Sequence, residues 1–198
     1  MAIVESSIER DLRTEWLLTD GVGGFASSTV VHCPTRRYHG LLIALPKGRA
    51  KRYLFLARFD EVARCDGQEL RAATAKYSDG SYSPGGHAAI ESFETVPHPT
   101  TRYRSGSLTL TREILMSRGG PTVLSRYTAT GGDVDLELRP LFAFREADAL
   151  AMANDVAATE VEEVDGGFSF TMYEGLPTCH VSVGGGQSEY VAAPTWYR

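Results

Sequence analysis

Two guanidinium groups, a phenol and an imidazole follow one another at Arg36, Arg37, Tyr38 and His39, just before the apolar run at residues 41–45. Charged side chains at the entrance to a buried strand need polar partners. In an extended segment, alternation would place Arg36 and Tyr38 on one face. Arg37 and His39 would then lie on the other. These side chains either pair with acidic residues and hold a sheet together, or line a cleft and donate hydrogen bonds to the hydroxyl groups of a ligand.

The carboxylates form no recognisable catalytic pair. Glycoside hydrolysis needs two carboxyl groups across the scissile bond, about 5 Å apart for retention or ~6.5–9.5 Å apart for inversion. The candidates are Asp20, Asp60, Glu61, Glu91 and Glu94. Their spacing singles out no pair, so we interpret most of them as solvated charges on strand faces and predict no catalytic residue. If the arginines at 36 and 37 are structural, Glu15 or Asp60 is their expected partner.

Other kinds of site also lack a sequence signal. The histidines are scattered without the short spacings typical of metal ligands, so we predict no metal. The glycines at residues 21–24 (Gly-Val-Gly-Gly) predict a tight turn. They have neither the spacing of a dinucleotide-binding loop nor that of a phosphate-binding loop. We therefore predict no organic cofactor. Three distant cysteines, Cys33, Cys65 and Cys179, form no C-x-x-C pair, which favours a reducing, cytoplasmic setting.

Length and charge narrow the function classes further. The chain has 198 residues, and its formal net charge of -5 argues against a nucleic-acid partner, which would need a concentrated basic face. No apolar run approaches the ~20 residues that span a bilayer, so no membrane association is expected. The first residues lack the apolar segment of a secretory signal. We expect one domain over residues 1–198.

Alternating patterns predict the elements that must position these residues. Residues 107–111, 134–140 and 168–172 alternate apolar with polar side chains, as in strands with one wet face. Residues 41–45 and 53–56 are continuously apolar, which is typical of strands buried on both faces. Asp66-Gly67 is a hairpin signal, and residues 145–153 have the composition of one short helix. The prediction is a large, mostly antiparallel, two-layer β-sandwich with at most one or two short helices.

Two ordered motifs then carry a family resemblance. Residues 15–29 follow the pattern E-W-L-x-T-[ND]-G-x-G-G-[FY]-A-S-x-T, and residues 35–42 read T-R-R-Y-H-G-L-L. Together they resemble the N-terminal domain of the bacterial and archaeal type of glycogen debranching enzyme, the amylo-α-1,6-glucosidase family. Weaker similarity continues at residues 138–145 and 195–198. Asp20 stands where the family often has Asn, and Glu146-Ala-Asp148 replaces the Asp-Tyr-His that tends to follow Arg145.

The resemblance implies a fold, an activity and partners. It implies a galactose-mutarotase-like supersandwich of the kind found in front of (α/α)-barrel glycosidases, without a metal or organic cofactor. The parent enzyme would transfer short α-1,4-glucan segments and hydrolyse the α-1,6 branch glucose in glycogen breakdown. Its catalytic carboxylates would lie in a C-terminal helical barrel that this chain lacks. The expected partners are therefore that barrel and α-glucan.

Sugar contacts are expected from planar polar and aromatic side chains, because sugar rings stack on aromatic faces and their hydroxyl groups take planar polar partners. The candidate glucan-binding residues are Arg36, Arg37, Tyr38, His39, Asp20, Tyr82 and Trp196. Tyr82 lies in a loop of small residues, and Trp196 stands near the chain end. Each of these aromatic residues could instead pack locally or against the missing barrel.

Two rival functions remain at this point. One is a stand-alone, mutarotase-like enzyme acting on aldoses, which needs a histidine and a carboxylate in one cleft. The other is a purely structural interaction domain without sugar affinity. We also expect the isolated domain to form a homodimer, because a surface built to meet a barrel would expose apolar side chains. The candidates for that patch are Trp196, Tyr197 and aromatic residues near the turn at residues 21–25.

Overall fold

The structure is a computed structural model, and it describes residues 7–186, 189–191, 193 and 195. Strands make up 49% and helices 4% of it, so the predicted mostly β class is confirmed. No helix in the described part of the chain is long and apolar enough to cross a membrane.

Fifteen strands and two short helices follow one another along the described chain. In order they are α1 (Ile8–Asp11), β1 (Glu15–Thr19), β2 (Phe25–Thr29), β3 (Gly40–Ala44), β4 (Tyr53–Cys65), β5 (Gln68–Arg71), β6 (Thr74–Lys76), β7 (Tyr82–Gly85), a 3₁₀ helix (Gly86–Ala89), β8 (Ile90–Glu94), β9 (Thr100–Ser105), β10 (Leu108–Met116), β11 (Val123–Thr130), β12 (Asp135–Glu146), β13 (Glu162–Val164), β14 (Gly167–Phe170) and β15 (Cys179–Ser182). Helix α1 had no counterpart in the predicted elements.

The strands form two main antiparallel sheets. The large sheet has the order β1-β2-β3-β4-β12, and β5 adds to the C-terminal part of β4. The second sheet has the order β11-β10-β9-β8. Strand β4 is the longest, and its first residues pair with β3 while its last residues pair with β5. It therefore ties the two ends of the large sheet together.

The core lies between these two sheets. At one end Trp16, Leu41 and Leu56 of the large sheet pack with Phe93 and Ile114 of the second. At the other end a separate cluster joins residues of β4 and β5 to residues of β9 and β10. The two-layer sandwich predicted from the alternating patterns is therefore present.

A third, small sheet covers the outer face of the large one. Strands β13, β14 and β15 form this sheet, and its Phe168 and Phe170 pack against Phe55 and Phe144 of the large sheet. The ring centroids of Phe55 and Phe144 lie 5.0 Å apart, and those of Phe144 and Phe170 lie 5.2 Å apart. This layer adds to the predicted sandwich, and it explains why Phe55 is buried although it faces away from the main core.

The hairpin predicted at Asp66-Gly67 is confirmed. Cys65 pairs with Gln68, and the two residues between them have φ values of 48° and 75°. Positive φ at both central residues is the geometry of a type I′ turn, for which the Asp-Gly dipeptide is preferred.

The helix predicted at residues 145–153 is wrong. Arg145 and Glu146 are the last residues of β12, where they pair with β4, and the residues after them form a turn and a loop. The Arg145 guanidinium donates to the carbonyls of Glu146, Ala147 and Ala149. These carbonyl oxygens accept hydrogen bonds from a side chain instead of from the backbone N–H groups of a helix. The pairing of Arg145 and Glu146 with β4 therefore overrides the helical composition of the segment.

A buried ion pair joins the two main sheets. Arg112 of β10 donates a hydrogen bond to the carboxylate of Glu61 of β4, and both side chains are almost wholly buried. The Tyr127 hydroxyl donates to the same carboxylate oxygen at 3.0 Å. Burial lowers the pKa of Arg112, but Glu61, Tyr103 and Tyr127 together raise it further, so the net shift is upward and the guanidinium stays charged. The interpretation of Glu61 as a solvated strand-face charge is therefore wrong, because β4 lies beneath the second sheet at this point.

We expect Glu61→Gln to lower the free energy of unfolding by about 3–5 kcal/mol, because the Arg112 charge would be left buried without its counter-ion. The double variant Glu61→Leu, Arg112→Met removes both charges and should recover most of that loss. Urea denaturation measures both effects.

The matched control is Glu69→Gln on β5, which is exposed and whose partners Arg64 and Arg71 are exposed too. Its loss should be clearly smaller, because exposed ion pairs contribute little. Equal losses in Glu61→Gln and Glu69→Gln would show that the buried pair does not hold the sheets together.

Candidate functional site

Two shallow grooves lie side by side at the edge of the large sheet, where β1 meets the connection between β2 and β3. The turn groove has a volume of about 530 Å³ and is lined by residues that include Glu15, Leu17, Thr19, Gly23, Tyr38 and Arg52. The helix groove has a volume of about 560 Å³ and is lined by residues that include Glu9, Arg13, Glu15, Arg36, Lys76 and Tyr77. Both volumes fall within the range of roughly 300–1,000 Å³ that is typical of small-molecule sites.

Strand β1 supplies one wall of the turn groove through its alternation. Glu15, Leu17 and Thr19 point outward, whereas Trp16 between them is buried in the core. The Trp16 indole N–H donates to the carbonyl of Thr29 at 3.1 Å, which fixes β1 against β2. The outward face of β1 is therefore held in place by the inward one.

The glycine turn at residues 21–24 closes one end of the turn groove, and Asp20 shapes it. One oxygen of the Asp20 carboxylate accepts hydrogen bonds from the backbone N–H groups of Val22 and Gly24, both at 2.8 Å. A Cβ on Gly24 would lie 2.3 Å from the other carboxylate oxygen. Asp20 is only 2% exposed. It therefore builds the wall of the groove and does not present its carboxylate to a ligand, contrary to its selection as a sugar-binding candidate.

Arg36 finds its acidic partner in Glu15. The Arg36 Nε donates to Glu15 Oε1, and Arg36 Nη1 lies 3.5 Å from the Tyr38 hydroxyl oxygen. Half of the Arg36 side chain and 29% of the Glu15 side chain remain exposed. The structural interpretation of Arg36 is therefore confirmed. Its exposed guanidinium and the exposed carboxylate remain available to a ligand.

The segment from Arg36 to His39 is a turn and not an extended strand, because the His39 N–H donates to the Arg36 carbonyl at 3.0 Å. Arg36 and Tyr38 lie together, as alternation predicted. Arg37 and His39 do not, because the turn sends His39 into the protein towards Glu15 and leaves Arg37 exposed. The prediction that Arg37 and His39 share a face is therefore wrong.

His39 lies beneath the Glu15 carboxylate as a neutral ring. Its Nδ1 accepts a hydrogen bond from the Thr35 N–H at 3.1 Å, so in the neutral ring the proton is on Nε2. That Nε2 lies 3.6 Å from Glu15 Oε1. Burial lowers the pKa of His39, although Glu15 partly opposes the shift. Partial burial raises the pKa of Glu15, but Arg36 and His39 lower it more, so its net shift is downward.

Arg37 belongs to a different network, on the side away from Glu15. Its guanidinium donates to the Asp148 carbonyl at 3.1 Å, and its own carbonyl accepts a hydrogen bond from Arg145 at 2.5 Å. Nearby, Lys51, which precedes β4, pairs with Glu146 at the end of β12 at 2.7 Å. Arg37 therefore ties the turn to the end of β12. Its partner is therefore a backbone carbonyl and neither Glu15 nor Asp60, the acidic residues expected for it.

The remaining candidates lie apart from the turn groove. Tyr82 is half-buried, packs against His87 with ring centroids 5.0 Å apart, and lines neither groove. Trp196 and Tyr197 fall outside the described residues, so the homodimer expected from them stays a prediction. Sequence reasoning missed Arg52, whose Nε donates to the Gly23 carbonyl at 2.5 Å. No local motif marks Arg52, because only the fold brings it to the glycine turn.

Comparison with known protein families shows which family this chain belongs to. Residues 14–198 match the family described as "Glycogen debranching enzyme N terminal", and this span includes nearly all residues that line the turn groove and the helix groove. The chain belongs to this family. The resemblance drawn from residues 15–29 and 35–42 is therefore confirmed. Comparisons with curated proteins and with solved structures gave no match.

The grooves offer hydrogen-bonding groups and aromatic surface. Among the described residues, no group of three or more His, Cys, Asp or Glu side chains is placed to hold a metal ion. The groups that reach solvent include the Glu15 carboxylate, the Arg36 guanidinium and the Tyr38 ring. These are the types of side chain that recognise the hydroxyl groups and the apolar faces of sugars.

We expect the free energy of unfolding to decrease as the pH falls below the ordinary histidine pKa of 6.5, because burial lowers the pKa of both His32 and His39 in the folded protein. The unfolded chain then binds more protons than the folded one, which favours unfolding. Urea midpoints measured from about pH 8 to about pH 5 test this.

The variant His39→Asn keeps an acceptor for the Thr35 N–H but cannot titrate, so its stability should depend less steeply on pH. His180→Asn, at an exposed position, is the control and should leave the slope unchanged. An identical slope in His39→Asn and the wild type would contradict a neutral, buried His39.

Proposed function

We propose that the turn groove binds α-glucan and that this domain is the glucan-binding part of a glycogen debranching enzyme. The observation that supports this most directly is the joining of the two family motifs in one exposed cluster. Glu15 comes from the first motif, and Arg36 and Tyr38 come from the second. The Tyr38 ring is 46% exposed, which leaves a face on which a glucose ring can stack.

The chemistry of the groove fits a neutral, hydroxyl-rich ligand. The Glu15 carboxylate accepts hydrogen bonds and the Arg36 guanidinium donates them, so that one ion pair serves both kinds of sugar hydroxyl contact. Leu17 is 62% exposed on the same face of β1 and adds an apolar surface for the C–H groups of a sugar ring. Polar groups fixed in advance lose little conformational freedom when a ligand binds.

Four of the five candidate carboxylates support a binding role rather than catalysis in this domain, because each is already held by other groups. Asp20 is taken up by backbone N–H groups and Glu61 by Arg112. Asp60 pairs with Arg58 at 2.9 Å, and Glu91 pairs with two arginines on β9. We therefore propose that the glucan transfer and the branch hydrolysis of the parent enzyme take place in a helical barrel, in the cytoplasm, and that this domain supports the barrel and holds substrate near it.

A stand-alone aldose-processing enzyme is disfavoured by the position of His39. Such an enzyme needs an imidazole and a carboxylate that both reach the substrate. The His39 imidazole lies close to Glu15, but the His39 side chain has no exposed surface. In a second pair, His98 lies 2.9 Å from Glu113, and Arg126 also binds the Glu113 carboxylate. The first pair buries its imidazole, and in the second pair an arginine already binds both oxygens of the carboxylate.

We expect maltoheptaose to bind the wild-type domain and Tyr38→Ala to weaken that binding about tenfold, because an aromatic residue that anchors an interface contributes more than about 1 kcal/mol. Isothermal titration calorimetry measures the affinity. Tyr190→Ala removes a tyrosine of similar exposure that packs on the third sheet against Phe168, and it should bind like the wild type. Absence of binding by the wild type would contradict the proposed glucan site and would favour a purely structural domain.

We expect the isolated chain to release no glucose or oligosaccharide from limit dextrin, because four of the five candidate carboxylates are already held by backbone N–H groups or by arginines. Reducing-sugar assays over long incubations measure this. Steady turnover by pure material that disappears in Glu15→Gln would contradict the proposal and would favour a stand-alone enzyme.

A further inference from the structure

The helix groove adjoins the turn groove, and one side chain belongs to both. Glu15 lines each of them. Its partner Arg36 lines the helix groove, whereas Tyr38, 3.5 Å from that guanidinium, lines the turn groove. Glu15, Arg36 and Tyr38 therefore lie where the two grooves meet.

The two grooves repeat the same pair of features. Each contains one exposed tyrosine, Tyr77 at 37% and Tyr38 at 46% exposure, and each has access to the shared Glu15. Tyr77 stands on an ordered turn, because its N–H donates to Ser81 at 2.9 Å and its carbonyl accepts from Gly80 at 3.0 Å. The backbone that carries Tyr77 is therefore ordered, and the two tyrosines line different grooves that share Glu15.

The charges around the helix groove are mostly paired. Lys76 pairs with Glu9 at 3.3 Å, and Arg36 pairs with Glu15. Paired charges offer hydrogen-bond donors and acceptors without a strong net field, which suits a neutral ligand better than a phosphate. The helix groove therefore matches the chemistry that we propose for the turn groove.

We infer that the turn groove and the helix groove form one continuous site for a linear α-1,4-glucan that crosses the Glu15–Arg36 pair. This inference rests on the proposed function. A short oligosaccharide can occupy one groove only, whereas a longer chain stacks on Tyr38 at one end and on Tyr77 at the other. Occupation of the second groove is then intramolecular, and affinity rises without any new kind of contact.

The test is a calorimetric series of linear maltooligosaccharides from maltose to maltoheptaose. For the wild type we expect affinity to rise at least tenfold between maltotriose and maltoheptaose. Tyr77→Ala should abolish most of that rise and leave the affinity for maltotriose within about twofold, because Tyr38 still holds the short ligand. Tyr190→Ala should reproduce the wild-type series. Far-ultraviolet circular dichroism and thermal melting show that each variant is folded.

The outcomes separate the inference from the proposed function. Equal affinity for all chain lengths, or a Tyr77→Ala series that matches the wild type, would overturn the continuous site and leave glucan binding in the turn groove intact. Absence of binding at every length would overturn both. Cello-oligosaccharides of matched length serve as the linkage control. If their affinity rises with length as much as that of maltooligosaccharides, the site is not one for an α-glucan.

Discussion

The ion pair between Glu61 and Arg112 is the constraint on which the arrangement of the sheets depends. It joins β4 to β10 inside the sandwich, where a charge without its partner is strongly destabilising. A shift of either strand by one residue would turn one of these charges to the opposite face of its sheet. Because each charge needs the other, the pair sets which residues of β4 and β10 face each other.

Fixing β4 also fixes the grooves at the other end of the molecule. Leu54 and Leu56 of β4 pair with β3, and β3 begins at Gly40, directly after His39. A Cβ on Gly40 would come within 3.0 Å of the Leu54 side chain, so β3 and β4 approach each other closely there. The turn that carries Arg36 and Tyr38 is thus anchored by its C-terminal end, and its position follows from the position of β4.

Local patterns predicted most of the fold, whereas long-range contacts decided what they missed. The Asp66-Gly67 turn was predictable because its conformation depends on two adjacent residues. The helix expected at residues 145–153 failed because Arg145 and Glu146 pair with β4, which composition does not reveal. Likewise, the alternating pattern at residues 168–172 predicted a strand, but only the aromatic residues of β4 and β12 show that this strand covers a second face of the large sheet.

The candidate site divides in the same way. The pairing of Arg36 with Glu15 was among the expected alternatives, but the separation of Arg37 from His39 was not, since a turn replaces the assumed extended segment. Asp20 was chosen for its charge beside a glycine turn, but its carboxylate accepts hydrogen bonds from the backbone of that turn. Arg52 and Tyr77 are far from both motifs in sequence, and their place beside Glu15 arises only from packing.

The structural and the functional interpretations of Arg36 turn out to be compatible rather than exclusive. A fully buried pair such as Glu61 and Arg112 has no exposed surface left for a ligand, whereas a fully exposed pair is mobile and screened by solvent. Glu15 and Arg36 lie between these limits, with His39 close beneath the carboxylate and solvent above it. The contacts that stabilise the edge of the sheet therefore also hold a donor and an acceptor at fixed positions. A site that binds flexible oligosaccharides gains from this arrangement, because the ordering cost on the protein side is already met by folding.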